Sequence, residues 1–329
     1  MRLPLPLGAA LLLGLLAGGC GASDPASGDR KAPLTKIILQ TDWYAQAEHG
    51  GYYQAMLKGY YRDAGLDVTI QQSGPMVPIG QKLATGMVQF MIGRGDDAIC
   101  QIARDIPFTI VAAHMEHDLQ ALLLHADSPV RSFADLEGRP VMTAPGSAWV
   151  SFMEQTYHVH IPIIPLDFGM ARFMADPNFI QQCFLTNEPY YVGLHGSPAR
   201  VLLFSDGGYD FYRVLAGNAD WVRKHPRETR AFVQASIRGW DDYLNGDPTL
   251  ANQEIMRENP QMEPDFIAYA IAAMKKYRLV TGDPAKGEAN GLITRKRIQE
   301  QINILQSVGV LDRLVTPDEV ANFTFTQPN

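Results

Sequence analysis

Residues 37–70 constrain this chain more than any other stretch. IILQ is followed by TDWYAQAEHGG, then YYQAMLKGYYRDAG, then LDVTI: a strand, a polar and aromatic loop, an amphipathic helix and a second strand. Tyr53, Met56, Leu57, Tyr60, Tyr61 and Ala64 recur at helical spacing, which predicts a helix of about three turns with one apolar stripe. Gly65, just past them, predicts a left-handed cap, and Leu66, Val68 and Ile70 alternate with Asp67 and Thr69 as in a half-buried strand. In such a β-α-β unit the loop after the first strand lies at the carboxyl edge of the sheet. Ligands bind at that edge in open α/β sheets, beside a helix N-terminus with free N–H groups. Asp42, Trp43, Tyr44, Gln46 and His49 are therefore candidate ligand-binding residues.

Strand and helix signals go on alternating: a short helix over 78–85, a buried strand in MVQFMIG, a helix over 96–104 and a strand in IPFTIVAA. This pattern implies a mostly parallel sheet covered on both faces. The loop at 93–97 follows a strand and opens a helix. Arg94 there can reach a carboxylate or phosphate while Asp96 or Asp97 caps the helix, or the loop is a capped turn with a solvated arginine. A strand over 119–124 is expected to cross into a second lobe, followed by a short helix capped by Ser132 and Asp135 and closed by Gly138. Trp149 either stacks on a ligand or packs against Phe152 and Met153. After a strand over 180–184, Pro189 suits a first helical turn, and Glu188 is an acid where the helix dipole favours one. Beyond 206 the chain reads as mostly helical, with Phe232, Ile237, Trp240 and Leu244 at helical spacing and the basic runs 227–230 and 295–297 as solvated faces.

The run DWYAQAEHGGYYQAMLKGYYRDAGLDVTI resembles the opening of NMT1/THI5-like solute-binding proteins, of the nitrate/taurine and thiamine-pyrimidine type, which serve ABC importers. IQQCFLTNEPYYV resembles a second block of the same proteins. The resemblance implies an α/β, two-lobe type II periplasmic-binding-protein fold with mostly parallel sheets and a cleft between the lobes. One lobe would comprise 35–117 and 206–329, the other 118–205. It further implies that Glu188 faces the ligand in the cleft, with Tyr191 of the same block added as a candidate. The implied partners are a small-molecule ligand and an ABC permease with its ATPase, with no cofactor. The eukaryotic pyrimidine synthases share the fold and the Asp-Trp opening, but they carry a cysteine-rich iron-binding run where this chain has only Gln182-Cys183-Phe184.

The chain opens MRLPLPLGAALLLGLLAGGC, whose apolar run is too short to span a membrane comfortably and ends in small residues. A signal peptide over 1–19 is expected, and the segment before Cys20 resembles a lipobox, so lipidation of Cys20 is expected over an ordinary signal with a chance cysteine. Residues 20–34, rich in Gly, Ser, Asp and Pro, read as a flexible tether to the membrane. With Cys20 set aside, Cys100 and Cys183 are expected as free thiols, and a monomer is expected. At 46% hydrophobic and 19% charged residues the remainder is globular, and a net charge of −7 excludes a nucleic-acid partner. No nucleophile elbow, phosphate loop, dinucleotide fingerprint or zinc-helix motif is present, and His114, Glu116 and His117 lack a second ligand pair at metal-binding spacing. Two ligand classes remain. Trp43 and Tyr44 with Asp42, Asp96 and Glu188 favour an aminopyrimidine-like heterocycle, whereas Arg94 and His49 favour a sulfonate, nitrate or carboxylate.

Overall fold

The computed structural model describes residues 33–75 and 77–326. The signal segment and Cys20 lie outside the described residues. Among the described residues ten strands form two five-stranded sheets. The first takes β1 (Thr35–Gln40), β2 (Leu66–Gln71), β3 (Phe90–Arg94), β4 (Phe108–Met115) and β10 (Arg213–Asn218), in the order β2-β1-β3-β10-β4. The second takes β5 (Gln120–His125), β6 (Val141–Thr143), β7 (Ile163–Pro165), β8 (Ile180–Phe184) and β9 (Ala199–Leu203), in the order β7-β6-β8-β5-β9. Each is parallel apart from one reversed strand: β10 runs against β3 and β4, and β5 runs against β8 and β9. This is the mixed α/β, mostly parallel architecture the alternating pattern predicted. β10 was not foreseen as a strand. Its RVLAGN sequence is buried throughout, so it shows no alternation by which to recognise it.

The predicted three-turn helix is broken in two. Helix Gly50–Leu57 ends at Lys58, Gly59 takes φ +79, and a single turn Tyr60–Asp63 follows before Gly65 at φ +82. The buried face is accordingly rotated: Leu57 and Ala64 are exposed, while Tyr52, Tyr53 and Ala55 are fully covered. What covers them is the long helix Pro226–Asn245. Added Cβ atoms would lie 2.1 Å from the Tyr243 ring at Gly50, 2.3 Å from the Trp240 ring at Gly51 and 2.2 Å from the Gly51 carbonyl oxygen at Gly239. Only glycine lets these two helices come so close.

The chain passes between the sheets twice, at 116–119 and 204–212. A charged cluster ties the two passages together. His117 hydrogen-bonds Asp210 at 2.7 Å and Glu288 at 3.1 Å, and Arg297 reaches Asp210 at 3.0 Å and Glu116 at 3.3 Å. Arg297 is thus no solvated residue; its side chain is 15% exposed and also lies over the Tyr212 ring. His114 goes the opposite way, into the first lobe between Tyr52 and Trp240, where burial pushes its imidazole down to about 3. Cys183 is a buried free thiol in β8 and Cys100 a half-buried one. No helix among the described residues is long and apolar enough to cross a membrane.

Candidate ligand-binding site

Both sheets turn polar side chains toward one place. Because β10 is reversed, its first residue, Arg213, stands opposite Arg94 and Met115 at the carboxyl ends of β3 and β4. In the second sheet the reversal of β5 sets Gln120 opposite Phe184 at the end of β8. The Arg213 guanidinium lies 5.8 Å from the centre of the Phe184 ring, which joins the two edges.

Asp42, just past β1, accepts from Arg213 Nη2 and shares a 3.1 Å hydrogen bond with the fully buried His49. Burial works against its charge, but the guanidinium and the His49 bond outweigh burial and hold the carboxyl well below the usual range. Arg94 donates to Asp96 at 3.1 Å and to Asp97 at 2.6 Å. Asp96, buried at the first turn of helix Gly95–Ala103, also accepts from the Tyr209 hydroxyl at 2.7 Å. A glycine is required beside it, since a Cβ on Gly95 would meet the Tyr212 carbonyl oxygen at 2.5 Å.

Two further carboxyls come from opposite lobes. Glu48, buried in the turn before helix Gly50–Leu57, accepts from the Thr186 hydroxyl, which follows β8. Burial raises its carboxyl above the ordinary value. Glu188 opens helix Glu188–Leu194 and accepts from the Phe184 N–H at 2.7 Å. Burial, reinforced by the Glu48 charge, carries Glu188 up to about 7 against the pull of its backbone hydrogen bonds. Trp43, one residue past Asp42, stacks on Phe168, with ring centres 5.7 Å apart and planes at 29°, and meets Tyr44 edge-on. Phe168 sits at φ +60, a conformation rare outside glycine. A buried polar chain runs into the second lobe, from Asp118 to Gln120 at 2.7 Å and from Gln120 to Gln182 at 2.7 Å. Thr143 then links Gln182 to the Trp149 indole.

Asp42, Trp43, His49, Arg94, Asp96 and Glu188 are therefore gathered at the facing edges. Gln46 is half-buried, with its carbonyl accepting from the His49 N–H, and the exposed Tyr44 closes over Gly74. Two candidates are corrected. Trp149 is 2% exposed and stacked on Phe204, so it has no free face and belongs to the core. Tyr191 is 43% exposed on the outer side of its helix, where its ring packs on His195. Residues missed from sequence are Glu48, Thr186, Phe168 and Arg213. Glu48 and Arg213 had a signal: each is a single charge beside residues otherwise destined for burial, in AEHGG and RVLAG. Phe168 and Thr186 had none, because tertiary folding alone brings them across.

Residues 46–251 match the family model for NMT1/THI5-like proteins. A formylaminopyrimidine-binding protein of Halalkalibacterium halodurans is 25% identical over 70% of this chain and 72% of its own length. A 4-amino-5-hydroxymethyl-2-methylpyrimidine phosphate synthase of Saccharomyces cerevisiae is 23% identical over 70% of this chain and 73% of its own. Among solved structures, the periplasmic aliphatic sulphonate binding protein SsuA of Escherichia coli superposes with a TM-score of 0.66 at 11% identity, covering 89% of this chain and 94% of SsuA. The family match spans well over half the chain and the superposition nearly all of the described fold: the protein belongs to the NMT1/THI5-like family and has the periplasmic-binding-protein fold.

Proposed function

We propose that this protein is an extracytoplasmic solute-binding lipoprotein, anchored through Cys20, that delivers a pyrimidine-like nitrogen heterocycle to an ABC permease and its ATPase. The observation that carries the ligand class is the excess of carboxyls over guanidiniums at the facing edges. Asp42, Glu48, Asp96, Asp118 and Glu188 stand there with Arg94 and Arg213, and burial holds Glu48, Asp118 and Glu188 toward their neutral forms. An anion would need uncompensated positive charge: Arg94 is engaged by two aspartates, His49 by Asp42, and Arg213, although one arm is unpaired, has its charge balanced by Asp42. The buried Glu48 carboxyl and the half-buried Glu188 carboxyl instead suit a ligand that brings N–H donors. The stacked Trp43–Phe168 pair offers aromatic faces to a flat ring, and the strained Phe168 backbone is of the kind stored at ligand clamps.

Admission of the ligand requires the Glu48–Thr186 and Trp43–Phe168 contacts to part. Closure around it then depends on the ligand binding the closed state more tightly than the open one. The relative named for formylaminopyrimidine binding supports this choice of ligand. The yeast synthase marks the enzyme alternative, against which stands Cys183, a single thiol buried in β8.

A thermal-shift panel on the compact unit Leu34–Asn329 tests the ligand class. Aminopyrimidines at ~100 times Kd are expected to add about 2.7 kcal/mol of stability, with nitrate and alkanesulfonates producing no shift. Stabilisation by the anions and none by the heterocycles would overturn the proposal.

A further inference from the structure

Among the described residues, Arg213 is a buried charge that its neighbours only half satisfy. It is 6% exposed, yet only one arm of its guanidinium is used: Nη2 binds Asp42, while Nη1 is fully buried without a hydrogen-bond partner. A buried donor is normally paired, and a buried charged one more strictly still. Arg213 also stands where the two sheets meet, opposite Arg94 and Met115 in the first and beside the Phe184 ring of the second. Phe184 in turn donates its backbone N–H to Glu188. The Arg213 guanidinium thus lies by the Phe184 ring while the Glu188 carboxylate holds the Phe184 backbone N–H, which brings a donor and an acceptor to one residue at the edge of the second sheet.

We infer that Arg213 is a specificity-determining residue whose Nη1 donates to a carbonyl oxygen on the ligand, while the carboxylates accept from its amino group. This rests on the heterocycle proposal and sharpens it: the ligand presents a carbonyl acceptor and an amino donor on one heterocyclic framework, as an aminopyrimidinone does, whereas a plain aminopyrimidine has only ring nitrogens to accept. Asp42 positions the guanidinium. Its two oxygens are divided between Arg213 and His49, which holds the arginine in one orientation and leaves its second arm for the ligand.

Isothermal titration of the full chain in detergent with cytosine and with 4-aminopyrimidine, which lacks the ring carbonyl and its adjacent N–H, tests this directly. The unaltered protein is expected to bind cytosine at least about tenfold more tightly, the usual penalty for leaving a buried polar group unpaired. In Arg213→Lys, which keeps the charge beside Asp42 but not the second planar arm, cytosine binding is expected to fall more than 4-aminopyrimidine binding, so that the ratio drops below about threefold. Equal affinity for the two probes in the unaltered protein would overturn the role of Arg213 and leave the heterocycle proposal standing. So would an undiminished ratio in a folded Arg213→Lys protein, with folding verified by its melting curve. Binding of neither probe, with a response to nitrate or a sulfonate, would overturn both. The first comparison uses the unaltered protein, so the inference stays testable even if the variant does not fold.

Discussion

Glu188 is the residue whose chemistry is most open to measurement. Its carboxyl, pushed up to about 7, carries its proton in mildly acidic solution and loses it just above neutrality. Only the ionised form offers all its lone pairs to an amino group, so the sign follows. An amino-bearing pyrimidine is expected to bind progressively better as pH rises from about 6 to about 8, and no better beyond that. In Glu188→Gln the pH dependence over this range should vanish, with affinity at pH 8 about tenfold lower. Calorimetric titration across the range checks this, and a variant retaining the wild-type pH profile would remove Glu188 from contact with the ligand. His49 and Asp42 show what folding adds to residue types: both lie where position alone put them, in the loop after β1, and there they hydrogen-bond each other while Asp42 also accepts from Arg213.

At the scale of elements, the pair of helices Gly50–Leu57 and Pro226–Asn245 sets where the loop after β1 can lie. The loop over 41–49 ends directly on Gly50 and Gly51, which are pressed against Tyr243 and Trp240. Gly239→Ala would drive a methyl into the Gly51 carbonyl, a backbone atom that cannot turn aside. It is expected to cost about 2–3 kcal/mol in denaturant unfolding. Gly193→Ala, in a helix with open space around the added carbon, serves as control and should shift stability by less than about 1 kcal/mol. Comparable losses for both would show that the close approach is not what Gly239 serves. The same crossing explains the broken helix. A continuous three-turn helix would present the stripe read from the sequence, whereas the break at Gly59 leaves Leu57 outside and lets Tyr61 stack on Phe232 instead.

For the whole molecule the two passages between sheets matter most. Both are short, and His117, Asp210, Glu288 and Arg297 bind them to each other and to the C-terminal helices, so the lobes share one charged joint. Membrane attachment belongs to this scale as well. The full chain produced with Cys20→Ala is expected in the soluble extracytoplasmic fraction, and the unaltered chain with the membranes. Fractionation and immunodetection decide the matter, and unchanged membrane association of the variant would defeat the lipid anchor.

Residue types and spacing alone determined the alternation of strands and helices, the capped turn at Ser132 and Asp135, and the carboxyl-edge position of the 41–49 loop. These follow from local periodicity and backbone preference, which a sequence carries in full. They also placed Asp42, Trp43, His49, Arg94, Asp96 and Glu188 at strand ends and helix starts. Tertiary structure alone decided which of these charges are free. Arg94 closes onto Asp96 and Asp97 of the helix that follows it, Trp149 packs against Phe204 within the second lobe, and pairing across the sheets brings Thr186 to Glu48. It also inserts β10 in reverse, so that Arg213, remote in sequence from every other site residue of the first sheet, arrives at their edge. The physical reason is that electrostatic and hydrogen-bond partners are set by distance in space, and a fold that crosses twice between two sheets separates that distance from separation along the chain.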